Sequence, residues 1–362
     1  MWIYLFTLMM CIILSAITYQ KVRAYTGVMG LPLSVNHRYK STFWFVAVWM
    51  LLIVGLRAEG IGVDTWNYKN TYIVWGSQGL QMLQGYHWYD EPAYALVIVF
   101  FNLLRIPWQM YAIFMAALYM LPIFFLIYEK SNNCFWALSL FILCGLWTYP
   151  MSTMRQAAAI GLTVAGFMYE DQHKRIKCVL CLIVAAMFHI SALITFVYLI
   201  LRCIPMNKRK ILILSLISAA IVLLGAGPLR GFFLQIMSFA GRDYQANAAT
   251  GGLLQELFFV LTLIVGWLVA PNEDQEYWKY YKAILLAAVI LPIVRIHPAL
   301  FRLYQYFSVY QIIFVPKLLS RAKGKFVKGI GYMGFLSVYA FLYFTQNLAS
   351  SLRIVPYRFF WS

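Results

Sequence analysis

Apolar runs close to the length of a bilayer crossing, roughly 20 residues, recur along the whole of this 362-residue chain. No other feature narrows the fold so far. The chain is 63% hydrophobic with a mean hydropathy of +0.74, whereas soluble domains are only about half apolar. Alternating strands of about ten residues are missing, which argues against an outer-membrane barrel. Lipid offers backbone polar groups no partner, so the segments are expected to be helices. The expectation is an all-α, polytopic integral membrane protein of roughly 10–12 helices, some short or re-entrant. It forms one transmembrane domain over residues 1–362, without an internal repeat, linker or soluble domain. Trp2–Tyr19 lacks a basic front and a small-residue cleavage site, so it is read as a retained helix.

The net charge of +17 would suggest nucleic acid in a soluble protein. Here most of it lies in short loops, where it sets orientation and attracts anionic lipid headgroups. Lys21, Arg23, Arg38 and Lys40 mark a cytoplasmic loop, so Ser41–Leu56 runs outward and delivers Arg57 to the external face. The external loop near 57–91 holds Arg57 and Lys69 against Glu59, Asp64, Asp90 and Glu91, with many aromatics. Pro92–Leu104, at about 20 Å as a helix, is too short for a full crossing and is expected to dip into the outer leaflet or lie along it. The 24 residues Cys178–Leu201 separate two basic clusters and are expected to form a helical hairpin with His189 at its outer apex. A second external loop is expected near 226–252, and Arg295 and His297 at the outer end of a later helix.

Arg155 and Arg302 lie inside the ends of apolar helices. An intramembrane arginine costs a few kcal/mol even on the mildest scale, so each needs a carboxylate or an anionic ligand. Guanidinium groups facing a leaflet suit phosphate, because they bind it bidentately and keep their charge when buried. A lipid-linked phosphate or diphosphate is the natural ligand. His189, between Phe188 and Ile190, is either a hydrogen-bonded structural group or, from an apex facing the same cavity, a group able to take a proton from a hydroxyl. The six cysteines lie in or beside apolar segments. Cys178 and Cys181 have redox spacing but are read as membrane packing. No zinc or haem spacing occurs, so no metal and no cofactor is expected.

Gly62-Val63-Asp64-Thr65-Trp66-Asn67-Tyr68, following Arg57, resembles the Arg…Gly-x-Asp-Thr-x-x-Tyr signature of the EpsG family. These are Wzy-like polymerases of O-antigen and exopolysaccharide repeat units. Glu91-Pro92-Ala93-Tyr94 is similar to the family's Glu-Pro-Gly-aromatic element, with alanine in place of glycine. Arg155-Gln156-Ala157, Phe188-His189-Ile190-Ser191-Ala192 and Arg302…Tyr306-Phe307 resemble further elements, in the family's order. The resemblance covers about Met1 to Leu319. It implies an inner-membrane glycosyltransferase with a GT-C-like fold, acting on undecaprenyl-diphosphate-linked oligosaccharide at the periplasmic face. Membrane lipids, a chain-length regulator and a flippase are the implied companions, and nucleic acid is not.

On that basis Arg155 and Arg302 are expected to stabilise the leaving diphosphate, with Arg57 and Arg295 as further phosphate contacts. His189 or Asp64 would be the base. Glu91, Tyr68 and Tyr306 are expected substrate contacts, and the aromatic residues of Trp66–Tyr89 either stack on sugars or form an interfacial belt. Two other functions share the arginine pattern: a flippase or transporter of lipid-linked sugars, and an O-antigen ligase-like transferase. A transporter would usually carry an internal repeat and polar groups reachable from both faces.

Overall fold

The computed structural model describes residues 1–29, 38–84, 90–220, 253–292, 301–322, 324–348 and 352–362. Regular structure among them is helical, apart from one isolated antiparallel bridge between Arg57 and Phe359. The chain divides into two compact units, Met1–Leu193 with Gly329–Ser362, and Ile194–Lys328.

The first unit contains α1 (Trp2–Met29), α2 (Lys40–Gly55), α3 (Thr65–Gln78), α4 (Pro92–Leu103), α5 (Trp108–Lys130), α6 (Cys134–Leu143), the single turn α7 (Tyr149–Ser152), α8 (Met154–Asp171) and α9 (Arg175–Phe188). Its core is α5, packed against α2 on one side and α8 on another, with α9 against α8 and α4. At 23 residues α5 is about 35 Å long. It is the one helix among the described residues long and apolar enough to cross a bilayer by itself; other apolar helices have 10–17 residues. Gly161 lets α8 approach α5 closely, since a Cβ there would collide with the Leu118 carbonyl.

The second unit contains α10 (Thr195–Cys203), α11 (208–220), α12 (Leu253–Val269), α13 (Gln275–Ile290), α14 (Phe301–Ser308) and α15 (Gln311–Ser320). Here α13 is central, touching α10, α12, α14 and α15. Lys282 on α13 is 1% exposed and donates to the carbonyls of Leu201 and Ile204, at 2.6 and 3.0 Å. It thus satisfies acceptors that the end of α10 leaves open. A last helix, α16 (Lys325–Leu342), runs from the end of this unit into the first. There Tyr332 packs edge-on against Trp136 of α6.

Apolar side chains face outward along several helices. Phe45, Val48 and Leu52 on α2, Leu180 and Ile183 on α9, and Leu257, Leu261, Ile264 and Leu268 on α12 are all exposed.

Several expected segments differ in detail. The stretch expected as an external loop contains α3, with Asp64 at its N-cap position. The apolar run that begins at Cys134 is helical only to Leu143 and turns through Gly145, whose φ is 72°. The apolar run that ends near Leu319 is two helices, α14 and α15, within its described part. Pro92–Leu103 is the short helix expected. The break at His189 is present: its backbone is extended, α9 ends before it, and a short 3-10 turn, Ile190–Ile194, follows. Arg295, His297 and the loop near 226–252 lie outside the described residues.

Candidate functional site

Glu91 is the centre of the polar groups in the first unit. It occupies the residue before α4 in the left-handed conformation, φ 62° and ψ 55°, and Pro92 then opens the helix. Proline suits a first helical position because its fixed φ is helical and no N–H is needed there. This turn explains the substituted motif. The bend falls at Glu91, while Ala93 is inside the helix and needs no glycine.

The Glu91 carboxylate is buried, 5% exposed, and is shared between two cationic or protonatable groups. Oε2 accepts from Arg155 Nη1 at 2.5 Å. Oε1 is against Nδ1 of His189. A carboxylate accepting from Nδ1–H leaves the Nε2 lone pair of a neutral imidazole available as a base. Nε2 makes no hydrogen bond among the described residues. His189 is placed by the end of α9, whose apolar side packs on α4 and α8. The extended backbone at 189 turns its ring out of the helical path.

Arg155 projects from the first turn of α8 and keeps 37% of its side chain exposed. Its guanidinium lies over the rings of Tyr94, at 5.3 Å, and Tyr68, at 6.0 Å. Those rings are edge to face with each other, and Trp75 packs on Tyr94 from two turns further along α3. A cation over aromatic faces, with one edge on a carboxylate, a further hydrogen bond to Tyr68 and more than a third of its side chain exposed, is held in orientation without being enclosed.

Arg57 has different surroundings. It is 2% exposed, donating from Nη1 to the Val54 carbonyl at 2.6 Å and from Nε to Thr65 Oγ1 at 3.4 Å. Its Nη2 is buried with no hydrogen-bond partner among the described residues. Among the described residues it makes no ion pair with Asp64, seven residues further along the loop. Burial lowers the Arg57 pKa to about 10, while the neighbouring Tyr357, Tyr4 and Tyr68 hydroxyls act in the opposite direction. The group stays charged at neutral pH. Asp64 is half-buried, and its carboxylate makes no hydrogen bond or ion pair among the described residues.

The signature residues between these groups have local reasons. Gly62 has φ 91°, and a Cβ there would strike the Met151 carbonyl. Thr65 Oγ1 bonds both the Ile61 and Met151 carbonyls, at 2.6 and 2.8 Å. The loop is therefore fastened to the turn just before Arg155.

Glu91, Arg155, His189 and Tyr68 thus come together, although sequence reasoning had put Glu91 on the substrate rather than between the other two. Arg302 and Tyr306 belong to the second unit. Arg302 is exposed on the first turn of α14, while Tyr306 is 1% exposed in that unit's own core. Sequence reasoning missed Tyr4, Met151 and the last eleven residues. The apolar or aromatic character of these residues does not distinguish them in a chain with 18% aromatics. Among the described residues no group of three or more His, Cys, Asp or Glu side chains is arranged to hold a metal ion.

The result is an all-helical protein with a carboxylate–imidazole–guanidinium site set among apolar helices. The sequence model of the EpsG family matches residues 40–359, and the chain belongs to that family. The match begins later than the resemblance suggested and extends beyond Leu319 to the final segment. The family is generally membrane-associated, and membership points to a polysaccharide-related polymerase. Comparison with curated proteins and with solved structures found no match.

Proposed function

We propose that this protein polymerises lipid-linked oligosaccharide repeat units of a bacterial surface polysaccharide, as a multi-pass protein of the cytoplasmic membrane with its site open to the periplasmic side. The single observation carrying this reading is the buried Glu91 carboxylate held between His189 and Arg155. The exposed apolar rows on α2, α9 and α12 support the membrane setting, since such surfaces suit lipid rather than water. A GT-C-like arrangement and an undecaprenyl diphosphate carrier are part of the same reading.

In this reaction a hydroxyl of one lipid-linked repeat unit attacks the anomeric carbon of the growing glycan. The new C–O bond forms as the bond to the diphosphate oxygen breaks, and the diphosphate departs with the bonding electrons. The hydroxyl proton passes to Nε2 of His189. Glu91 keeps the imidazole in the required tautomer and stabilises it once protonated, as a carboxylate does for any histidine base. The exposed part of the Arg155 guanidinium meets the negative charge gathering on the diphosphate. Arg302 and Arg295 are candidate phosphate contacts, and Asp64, whose carboxylate makes no bond among the described residues, is a candidate contact to the sugar. Tyr68 and Trp75 offer ring faces to a pyranose. The implied partners are the lipid-linked oligosaccharide itself, a chain-length regulator and a flippase.

The test is an alanine series at Glu91, Arg155 and His189 in the native host, with the surface glycan resolved on a gel. A polymerase defect leaves a single repeat unit on the final acceptor. A flippase defect leaves none, and a ligase defect leaves full chains on the carrier lipid. Either of the last two patterns, or unchanged ladders for all three variants, overturns the proposal.

A further inference from the structure

The last residues of the chain, 352–362, belong to the first unit and lie along the signature loop. Three backbone hydrogen bonds join them. Ala58 N–H donates to the Arg358 carbonyl at 2.9 Å, Gly62 N–H to the Arg353 carbonyl at 2.9 Å, and Phe360 N–H to the Leu56 carbonyl at 3.0 Å. Tyr357 adds a bond from its hydroxyl to the Ile53 carbonyl at 2.6 Å, at the end of α2. On the other side, the hydroxyl of Tyr4 in α1 donates to the Ile354 carbonyl at 2.8 Å and also lies 3.7 Å from the Met151 sulfur.

Met151 is therefore a junction. Its sulfur touches the Tyr4 hydroxyl, its carbonyl accepts from Thr65, and Gly62 is packed against that same carbonyl. Four residues further along the chain, past the break between α7 and α8 at Thr153, is Arg155. The turn between them is stiffened by Thr153, whose hydroxyl donates to the Tyr149 carbonyl and whose own carbonyl accepts from Ala157 N–H.

From this continuous set of contacts we infer that the C-terminal segment 353–360 is a positioning strap. It fixes the signature loop, and through Met151 it sets where the Arg155 guanidinium stands relative to Glu91. No residue of the strap needs to touch substrate. Tyr4 and Tyr357 are positioning residues, and Arg57, enclosed between loop and strap, is the buried peg on which both rest. The catalytic consequence rests on the polymerase reading; the mechanical coupling does not.

Hydrogen–deuterium exchange on the purified full chain, paired with a polymerisation assay on lipid-linked repeat units, tests both. Tyr4→Phe removes one hydroxyl between strap and junction. It is expected to speed exchange about fivefold, the equivalent of one hydrogen bond, at the amides of 58–65 and also at 151–155, with α5 unchanged. The rate per folded molecule should fall at saturating substrate while KM stays level. A chain ending at residue 352 should show the same pattern, larger, at least about tenfold. If that truncated chain does not fold, Tyr4→Phe and Tyr357→Phe still decide the matter. Exchange that rises at 58–65 but not at 151–155 overturns the strap. Coupled exchange in a protein that makes no polymer keeps the strap and removes the polymerase reading.

Discussion

Arg57 and Arg155 sit within one unit, a few residues from the two sides of the same loop–turn junction, and are handled in opposite ways. Arg57 is enclosed, has no carboxylate, and directs its bonds to a backbone carbonyl and a hydroxyl. Arg155 is more than a third exposed and has a buried carboxylate as its partner. The lesson concerns how a cation is used. A guanidinium closed in among carbonyls and tyrosines fixes a backbone. One that is paired with a carboxylate yet still partly exposed has room to meet a second anion.

That contrast can be attacked at three levels. The largest effect is expected from Glu91→Gln, which keeps the side-chain volume but removes the charge shared by His189 and Arg155. Chain elongation should fall by about 10²–10⁴-fold, the usual scale for losing a positioned acid–base group, with thermal stability nearly retained. A mild loss of rate would mean that Glu91 serves folding more than chemistry. Arg57→Met should do the reverse. With a buried charge and its bonds removed, the apparent Tm is expected to drop by about 4–8 °C, while elongation per folded molecule changes much less. Rate lost at unchanged Tm would move Arg57 into the substrate site and erase the distinction. The smallest effect belongs to Lys69→Ala, which breaks the exposed pair with Glu59 near the same loop. It should alter stability by no more than about 0.5 kcal/mol, measured by thermal unfolding in detergent, and leave the glycan ladder unchanged.

Much of this arrangement was legible beforehand, for identifiable reasons. An apolar run of 24 residues between two basic clusters fits the positive-inside rule better as two short arms than as one crossing, and the polar His189 between apolar stretches marked where the break would fall. Arginine, glycine, aspartate and threonine at the spacing of the 57–65 stretch carried the family resemblance, and the structure shows what the glycine and threonine do there. The partnership of Glu91 with His189 was not legible, because 98 residues separate them and only the packing of α4 on α9 brings them together. The helix α3 was read as loop because its polar and aromatic residues give little apolar periodicity, although Asp64 at the N-cap position was an available signal. The C-terminal segment was invisible for a further reason. Its ties to the loop are mainly backbone bonds, which any side chains permit.

One consequence follows from the bend that begins α4. A left-handed backbone is disfavoured for every L-residue by about 1–2 kcal/mol and suits glycine best. A chain selected for robustness alone would carry glycine at 91. Glu91→Gly should therefore relieve the bend while silencing the protein, so that sturdiness and turnover pull in contrary directions at this one position. A glutamate at that bend, against its own backbone preference, accords with the role proposed for its carboxylate, in a place where the chain would rest more easily without it.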